Sequence, residues 1–93
     1  MPPAERQAWI VRWLLLWTMG THTPRVCTKD RDGLPWAYQL HGCDPAKLPA
    51  DLAHLRADGL LLAKRLGRRT TYWLADPKAA KAWVAQQPES VVS

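Results

Sequence analysis

Residues 48–74 place the tightest constraint on the fold. Leucines recur there at the spacing of one helix face until Gly59. Two β-prone stretches, 60–66 and 69–75, then flank the dipeptide Gly67-Arg68. Glycine at the first position of a two-residue loop is what a type II′ hairpin turn requires. The sequence therefore predicts a helix that turns directly into an antiparallel hairpin.

The helix that ends at Gly59 is the third of the chain. Asp44 followed by Pro45 is a favourable helix start, but Pro49 lacks the N–H that a helix interior needs. We therefore expect the regular helix to begin near Leu48 or to kink there. Its leucines, at positions 48, 52 and 55, define a buried face. The opposite face carries Lys47, Ala50 and His54.

Alternation along the hairpin predicts which side chains share a face. One face carries Leu61, Ala63, Tyr72 and Leu74, and the other carries Leu60, Leu62 and Trp73. Because both faces are apolar at the base of the hairpin, we expect both to be covered. A short final helix, starting at Asp76-Pro77 and carrying Trp83, is the expected second cover.

The earlier part of the chain contains two more predicted helices. The first runs from Ala4 to Met19 and is closed by Gly20. Its stripe consists of Trp9, Trp13, Leu16 and Trp17, widened by Ile10 and Leu14. A turn-rich loop with one short β-prone piece, 25–28, leads to a second helix over 36–41. Length predicts a single domain over 1–87, and we expect 88–93 to be a disordered tail.

Positive charge is concentrated in the hairpin. The chain has thirteen Lys and Arg against eight Asp and Glu, a net charge of +5. Four of these cations lie within six residues that contain no acid: Lys64, Arg65, Arg68 and Arg69. A local basic patch on a small domain indicates a polyanionic partner such as nucleic acid, although a solubilising surface cluster would have the same composition. In the loop, Arg25, Lys29 and Arg31 are offset by Asp30 and Asp32.

Other function classes find little support. The longest apolar run, 13–19, is far shorter than the ~20 residues of a membrane span, and no targeting segment is evident. Cys27, His41 and Cys43, with His22 or His54, offer zinc-type ligands but no C-x-x-C pair, so buried thiols in a cytoplasmic protein are the better reading. We find no nucleophile–base motif and no glycine-rich phosphate loop. We therefore expect no enzyme activity, no metal, no cofactor and no small-molecule substrate.

The stretch from Trp36 to Leu74 also resembles a known family. Residues 52–61 (LAHLRADGLL), the Gly67-Arg68-Arg69 turn and Tyr72-Trp73-Leu74 are similar to the winged helix-turn-helix proteins, in particular small bacterial and phage transcription regulators of the MarR and ArsR type. Residues 37–42 look like the first helix of the family's motif, with Leu40 packing inward and Gly42 opening the turn.

The resemblance implies an α+β winged helix-turn-helix fold, with a three-helix core, a hairpin wing and a short final helix. It implies a sequence-specific protein for double-stranded DNA, acting as a small transcriptional repressor. The recognition helix would enter the major groove with Lys47, Ala50, Asp51 and His54. Asp51, beside this face, would repel phosphate or accept from a cytosine amino group, and the alternative is a solvated or salt-bridged carboxylate. The wing would hold backbone phosphates with Arg65, Arg68 and Arg69. Lys64 is a weaker wing candidate, because strand alternation turns it to the other face.

The tryptophans leave two alternatives open. Trp9, Trp13, Trp17 and Trp83 offer more apolar face than one small core needs, so we expect a homodimer through the first and last helices. The competing interpretation is a winged-helix module that binds another protein, as an adaptor or an inhibitor. A basic recognition helix beside a basic wing would favour DNA. An exposed tryptophan patch would favour protein.

Overall fold

The computed structural model describes residues 2–20 and 22–87. Within them, helices and a hairpin follow one another in the order α1 (Pro3–Leu16), α2 (Leu34–Leu40), a 3-10 turn (Pro45–Lys47), α3 (Leu48–Ala57), β1 (Leu61–Leu66), β2 (Arg69–Leu74) and α4 (Pro77–Gln86). The predicted α+β class is confirmed. The expected tail at 88–93 lies outside the described residues.

The helix α1 buries only part of the predicted stripe, since Trp9 and Trp13 are half-buried against the core. Its fully buried side chains centre on Ile10, Val11 and Leu14, whereas Leu16 and Trp17 are exposed. The helix also ends earlier than expected, because the chain leaves helical geometry at Trp17. A helix that is apolar on most sides has no unique periodic face, so contacts with α2, α3 and α4 select which side enters the core.

The helix α2 starts two residues before the predicted helix, directly after Gly33, whose φ of +79° suits glycine. This start makes Leu34 and Tyr38 its buried pair, four residues apart. The prediction that Leu40 packs inward is wrong, because Leu40 is exposed. Two residues beyond Tyr38 correspond to about 200° around a helix, which turns Leu40 away from the core.

The start of α3 confirms the expected effect of Pro49. Residues 45–47 form a separate 3-10 turn, capped where the Asp44 side chain accepts a 3.0 Å hydrogen bond from the Ala46 N–H. The α-helix begins only at Leu48, so that Pro49 falls in its first turn, where no N–H is required. The three predicted leucines of α3 are all buried.

The hairpin has the predicted two-residue turn. Leu66 pairs with Arg69, and Gly67 between them has a φ of +61°. One face is buried through Leu61 and Leu74, as predicted. On the other face Leu60 is buried as expected, whereas Leu62 is exposed. The expected cover, α4, packs mainly on α1.

The β-prone piece of the loop forms one bridge rather than a strand. Val26 and Tyr72 exchange both backbone hydrogen bonds, at 2.8 and 2.9 Å. The bridge lies on the edge of β2 that does not face β1, so the loop passes beside the hairpin at this point. Among the described residues, no helix has both the length and the apolar character that crossing a membrane demands.

Candidate nucleic-acid interface

The four predicted wing cations all lie exposed around the hairpin turn. Arg65 donates from Nε to the Gly67 carbonyl at 3.2 Å, which ties its side chain to the turn. In residues 2–20 and 22–87, none of the four has a carboxylate within ion-pair distance. The turn therefore presents cations that no carboxylate of the described residues neutralises.

The register divides these cations between the two faces in an unexpected way. Lys64 pairs with Thr71 and Leu66 with Arg69, so Lys64 and Arg69 project from the same face. We call this the outer face of the hairpin, because the opposite face is the one buried through Leu61 and Leu74. Arg65 pairs with Thr70 on the opposite face. The prediction that Lys64 lies on a different face from the other wing cations is therefore wrong for Arg69. The two-residue turn pairs Arg69 with Leu66, and Leu66 lies on the same face as Lys64.

The loop adds a fifth cation to the outer face. The Arg25 guanidinium lies 4.7 Å from the ring centre of Trp73, in a cation–π contact. Trp73 pairs with Leu62 and so belongs to the face that carries Lys64. Sequence pattern alone predicts that the nearby acids, Asp30 and Asp32, offset Arg25. One of these acids, Asp30, is engaged locally, since its carboxylate accepts from the Cys27 N–H at 3.0 Å.

The helix α3 places three of its predicted contacts on the surface. Lys47, Ala50 and His54 are all exposed. The same side of the helix also exposes Ala53 and Ala57, which carry no polar atoms for reading bases. The imidazole of His54 lies 3.3 Å from the carboxylate of Asp58, one turn on. This face thus offers few hydrogen-bonding groups to a base edge.

The assignment of Asp51 to the DNA-contacting face is wrong, because its carboxylate is buried. It accepts from Arg6 at 2.8 and 3.2 Å, from Gln7 at 3.4 Å and from the Tyr38 hydroxyl at 2.5 Å. Burial by itself raises the pKa of Asp51, but the hydrogen bonds from Arg6, Tyr38 and Gln7 outweigh it, so the pKa lies below its usual range. Asp51 therefore joins α1, α2 and α3.

A sequence pattern for this role was available. Asp51 lies three residues after Leu48 and four before Leu55, which is the spacing of the buried stripe itself. A carboxylate at such a position needs partners, and Arg6 and Tyr38 supply them from distant parts of the chain. The pattern shows that Asp51 is enclosed, whereas only the tertiary structure names its partners.

The four tryptophans expected at a dimer interface do not form one surface. Trp9, Trp13 and Trp83 are half-buried against the core, so each uses part of its apolar area within the monomer. Trp17 remains exposed and lines a cleft together with Trp13 and Trp36. Much of the apolar surface expected at an interface through α1 and α4 therefore packs against the core of the same chain.

The candidate zinc ligands are dispersed. Cys27 and Cys43 are both free and buried, and burial raises the pKa of the Cys43 thiol. The His41 ring stacks on Trp9, with ring centres 5.0 Å apart. Within the described part of the chain, no group of three or more His, Cys, Asp and Glu side chains is placed to hold a metal ion.

Comparisons of the chain with protein-family models, with curated proteins and with solved structures found no match.

Proposed function

We propose that this protein binds double-stranded DNA as a winged helix-turn-helix domain and grips the phosphate backbone with its hairpin. The order of elements supports the fold: α1, the bridge at Val26, the pair α2 and α3, the hairpin, and α4. The helix α3 packs against β1, and the chain passes between them through Gly59, which has a φ of +82°. An exposed helix and an exposed hairpin thus adjoin each other, as groove and backbone contacts require.

One observation carries the proposal. Lys64, Arg65, Arg68 and Arg69 are exposed and lack acidic partners in the described residues, and Arg25 extends their outer face along Trp73. Each phosphate contact by such a cation releases a condensed counterion, which makes binding favourable at low salt. A guanidinium stacked on an indole is also held in place before binding, so less side-chain entropy is lost on contact.

The binding that we propose is dominated by the backbone. Exposed alanines on α3 can contact a thymine methyl group but cannot donate or accept hydrogen bonds, so Lys47 and His54 carry the direct reading of bases. Such a protein acts as a small repressor by occupying its site, with modest sequence discrimination. The two cysteines are free thiols, which is typical of proteins in the reducing cytoplasm, where a repressor would bind its DNA site.

The second candidate function is binding to another protein. The exposure of Trp17 and Trp36 favours it, because large aromatics on a surface are typical of protein interfaces. The alanine face of α3 also suits protein packing better than base reading. The two candidates share the exposed face of α3 and differ elsewhere, because only DNA binding needs the hairpin cations and only protein binding needs Trp17 and Trp36. Variants of the hairpin cations therefore distinguish them.

The test is binding to random-sequence duplex DNA across a salt series. The triple variant Arg65→Ala, Arg68→Ala, Arg69→Ala is compared with Lys29→Ala, Lys78→Ala, Lys81→Ala, which removes the same charge from exposed positions outside the hairpin. Because each phosphate contact contributes about 0.9 to the slope of log affinity against log salt, the wing variant should lose about 2 to 3 units of slope. The control should lose less than about 1 unit.

Equal losses in the two triple variants would mean that net charge, not the hairpin, drives the binding. If the parent fails to bind DNA even at low salt, the proposal fails, and the exposed tryptophans become the first place to look for function.

A further inference from the structure

An apolar concave surface lies between α1 and α2. Trp13 and Trp17 form one wall and Trp36 the other, with Gly33 and Ala37 beside them, around a cleft of about 360 Å³. A second cleft of about 330 Å³ continues from Trp13 and Trp17 towards His22 and Pro24. We call this surface the tryptophan groove. It involves none of the wing cations.

The side chains of the groove are exposed to an unusual degree for their type. Trp17 is 59 % exposed and Trp36 is 56 % exposed. Leu40, one turn after Trp36 on α2, is 66 % exposed and continues the same wall. Leu16 and Met19, on either side of Trp17 in the chain, are 77 % and 79 % exposed. Apolar residues scattered singly on a surface are ordinary, but five in two neighbouring segments indicate a contact surface.

The extent of the surface matches a protein–protein interface. With roughly 100 to 250 Å² for each large apolar side chain, these five expose on the order of 600 Å². A standard interface removes about 800 Å² from each partner, so the five supply most of one side. A small ligand would need only part of this area.

The charge of the groove selects the kind of partner. Asp32 is the only ionised side chain among the described residues that line the two clefts, and it is exposed in the single chain. An acidic partner or a nucleic acid would require cations here, and a basic partner would require more than one carboxylate. An uncharged apolar surface of the same size satisfies the groove, and the groove of a second copy is such a surface.

We propose that the tryptophan groove is the interface of a homodimer, in which α1 and α2 of one protomer pack on α1 and α2 of its partner about a two-fold axis. In an isologous contact of this kind each copy contributes both a wall and a cleft, so Trp36 of each protomer enters the groove of the other. Gly33 and Ala37 leave the space for that ring. The inference does not depend on DNA binding.

The experiment is sedimentation equilibrium of the full chain at about 5 to 200 µM, the range in which a dimer of micromolar affinity dissociates. The parent should approach twice its mass of 10.5 kDa. Trp36→Glu should weaken dimerisation at least about 100-fold, because a central tryptophan is an interface hot spot. Leu66→Glu, which alters an equally exposed apolar residue at the hairpin turn, should change it by less than about 3-fold.

Circular dichroism and urea unfolding show whether each variant remains folded, and Trp36→Gln or Leu40→Gln replaces the glutamate variant if it does not. A parent that stays monomeric over the whole range overturns the proposal, and so does a dimer that Trp36→Glu leaves intact. Equal weakening by Leu66→Glu would also overturn it, because association would then follow exposed apolar area in general. DNA binding is measured separately, so failure of one proposal leaves the other standing.

Discussion

Arg6 and Arg68 carry the same side chain in opposite surroundings. The guanidinium of Arg6 is nearly enclosed and bonds the Asp51 carboxylate through two nitrogens, at 2.8 and 3.2 Å. Arg68 lies exposed in the hairpin turn, without a carboxylate in reach among the described residues. The first arginine is committed to the fold and the second remains available to a partner. Position, and not residue type, separates stabilising charge from binding charge.

The two regions should respond differently to substitution. Removing one partner of a buried pair leaves the other charge desolvated, whereas an exposed cation loses little on removal because water already solvates it. The comparison therefore predicts large losses of stability in the Asp51 cluster and nearly none in the hairpin, with the cation–π pair of Arg25 and Trp73 between them.

The largest effect is expected for Asp51→Ala. It removes the carboxylate that accepts from the Arg6 guanidinium, the Tyr38 hydroxyl and Gln7, so the free energy of unfolding should fall by about 3 to 5 kcal/mol. Urea denaturation measures it. The control Asp58→Ala breaks an exposed pair with His54 and should cost less than about 1 kcal/mol. Similar losses in the two variants would contradict the contrast between buried and exposed charge.

A smaller effect is expected on the acid side. The folded state lowers the pKa of Asp51, so its stabilising contribution is complete above the unfolded value of about 4 and is lost as pH falls through the folded pKa. Asp51→Asn removes this titration. Stability curves from pH 2 to pH 6 should therefore rise less steeply for Asp51→Asn than for the parent. Parallel curves would show that folding does not shift the pKa of Asp51, and a steeper rise for Asp51→Asn would show that folding raises it.

The cation–π pair should give an intermediate result. Arg25→Ala removes the contact with Trp73, and the free energy of unfolding should fall by about 0.5 to 1 kcal/mol. Arg25→Lys keeps the charge but loses the flat stacking of the guanidinium, so it should recover only part of the loss. Thermal unfolding of both variants checks this. Full recovery by lysine would mean that charge alone, and not stacking, holds the side chain.

The smallest effect on stability is expected in the hairpin. For the triple variant Arg65→Ala, Arg68→Ala, Arg69→Ala, the free energy of unfolding should differ from that of the parent by less than about 0.5 kcal/mol for each substitution. The same variant should lose its salt-dependent affinity for DNA. The same denaturation assay measures it. A loss as large as that of Asp51→Ala would place the hairpin cations among the structural residues and remove the contrast.

Local chemistry made several features predictable. The two-residue turn at Gly67 and the delayed start of α3 before Pro49 both follow from backbone restrictions that act within a few residues. The three leucines of α3 follow from helical period alone. The exposure of the four hairpin cations follows from the cost of burying unpaired charge.

Features that depend on distant contacts were predicted less well. Leu40 was expected in the core and is exposed. The reason is that α2 buries Leu34 and Tyr38, and Leu40 lies on the opposite side of the helix from this pair. The second cover of the hairpin was expected from α4, which packs on α1 instead. In both cases the chain has more apolar faces than the core can bury. The local sequence pattern does not show which of these faces is buried.

The sequence by itself determined the order of elements, the turn that forms the hairpin and the concentration of positive charge around it, because each depends on residues close in the chain. Only the tertiary structure decided that Asp51 is a buried partner of Arg6, that Arg25 joins the outer face of the hairpin, and that Trp17 and Trp36 stay exposed while Trp9 is half-buried. These outcomes depend on which surfaces meet, and the packing of the whole core selects among them.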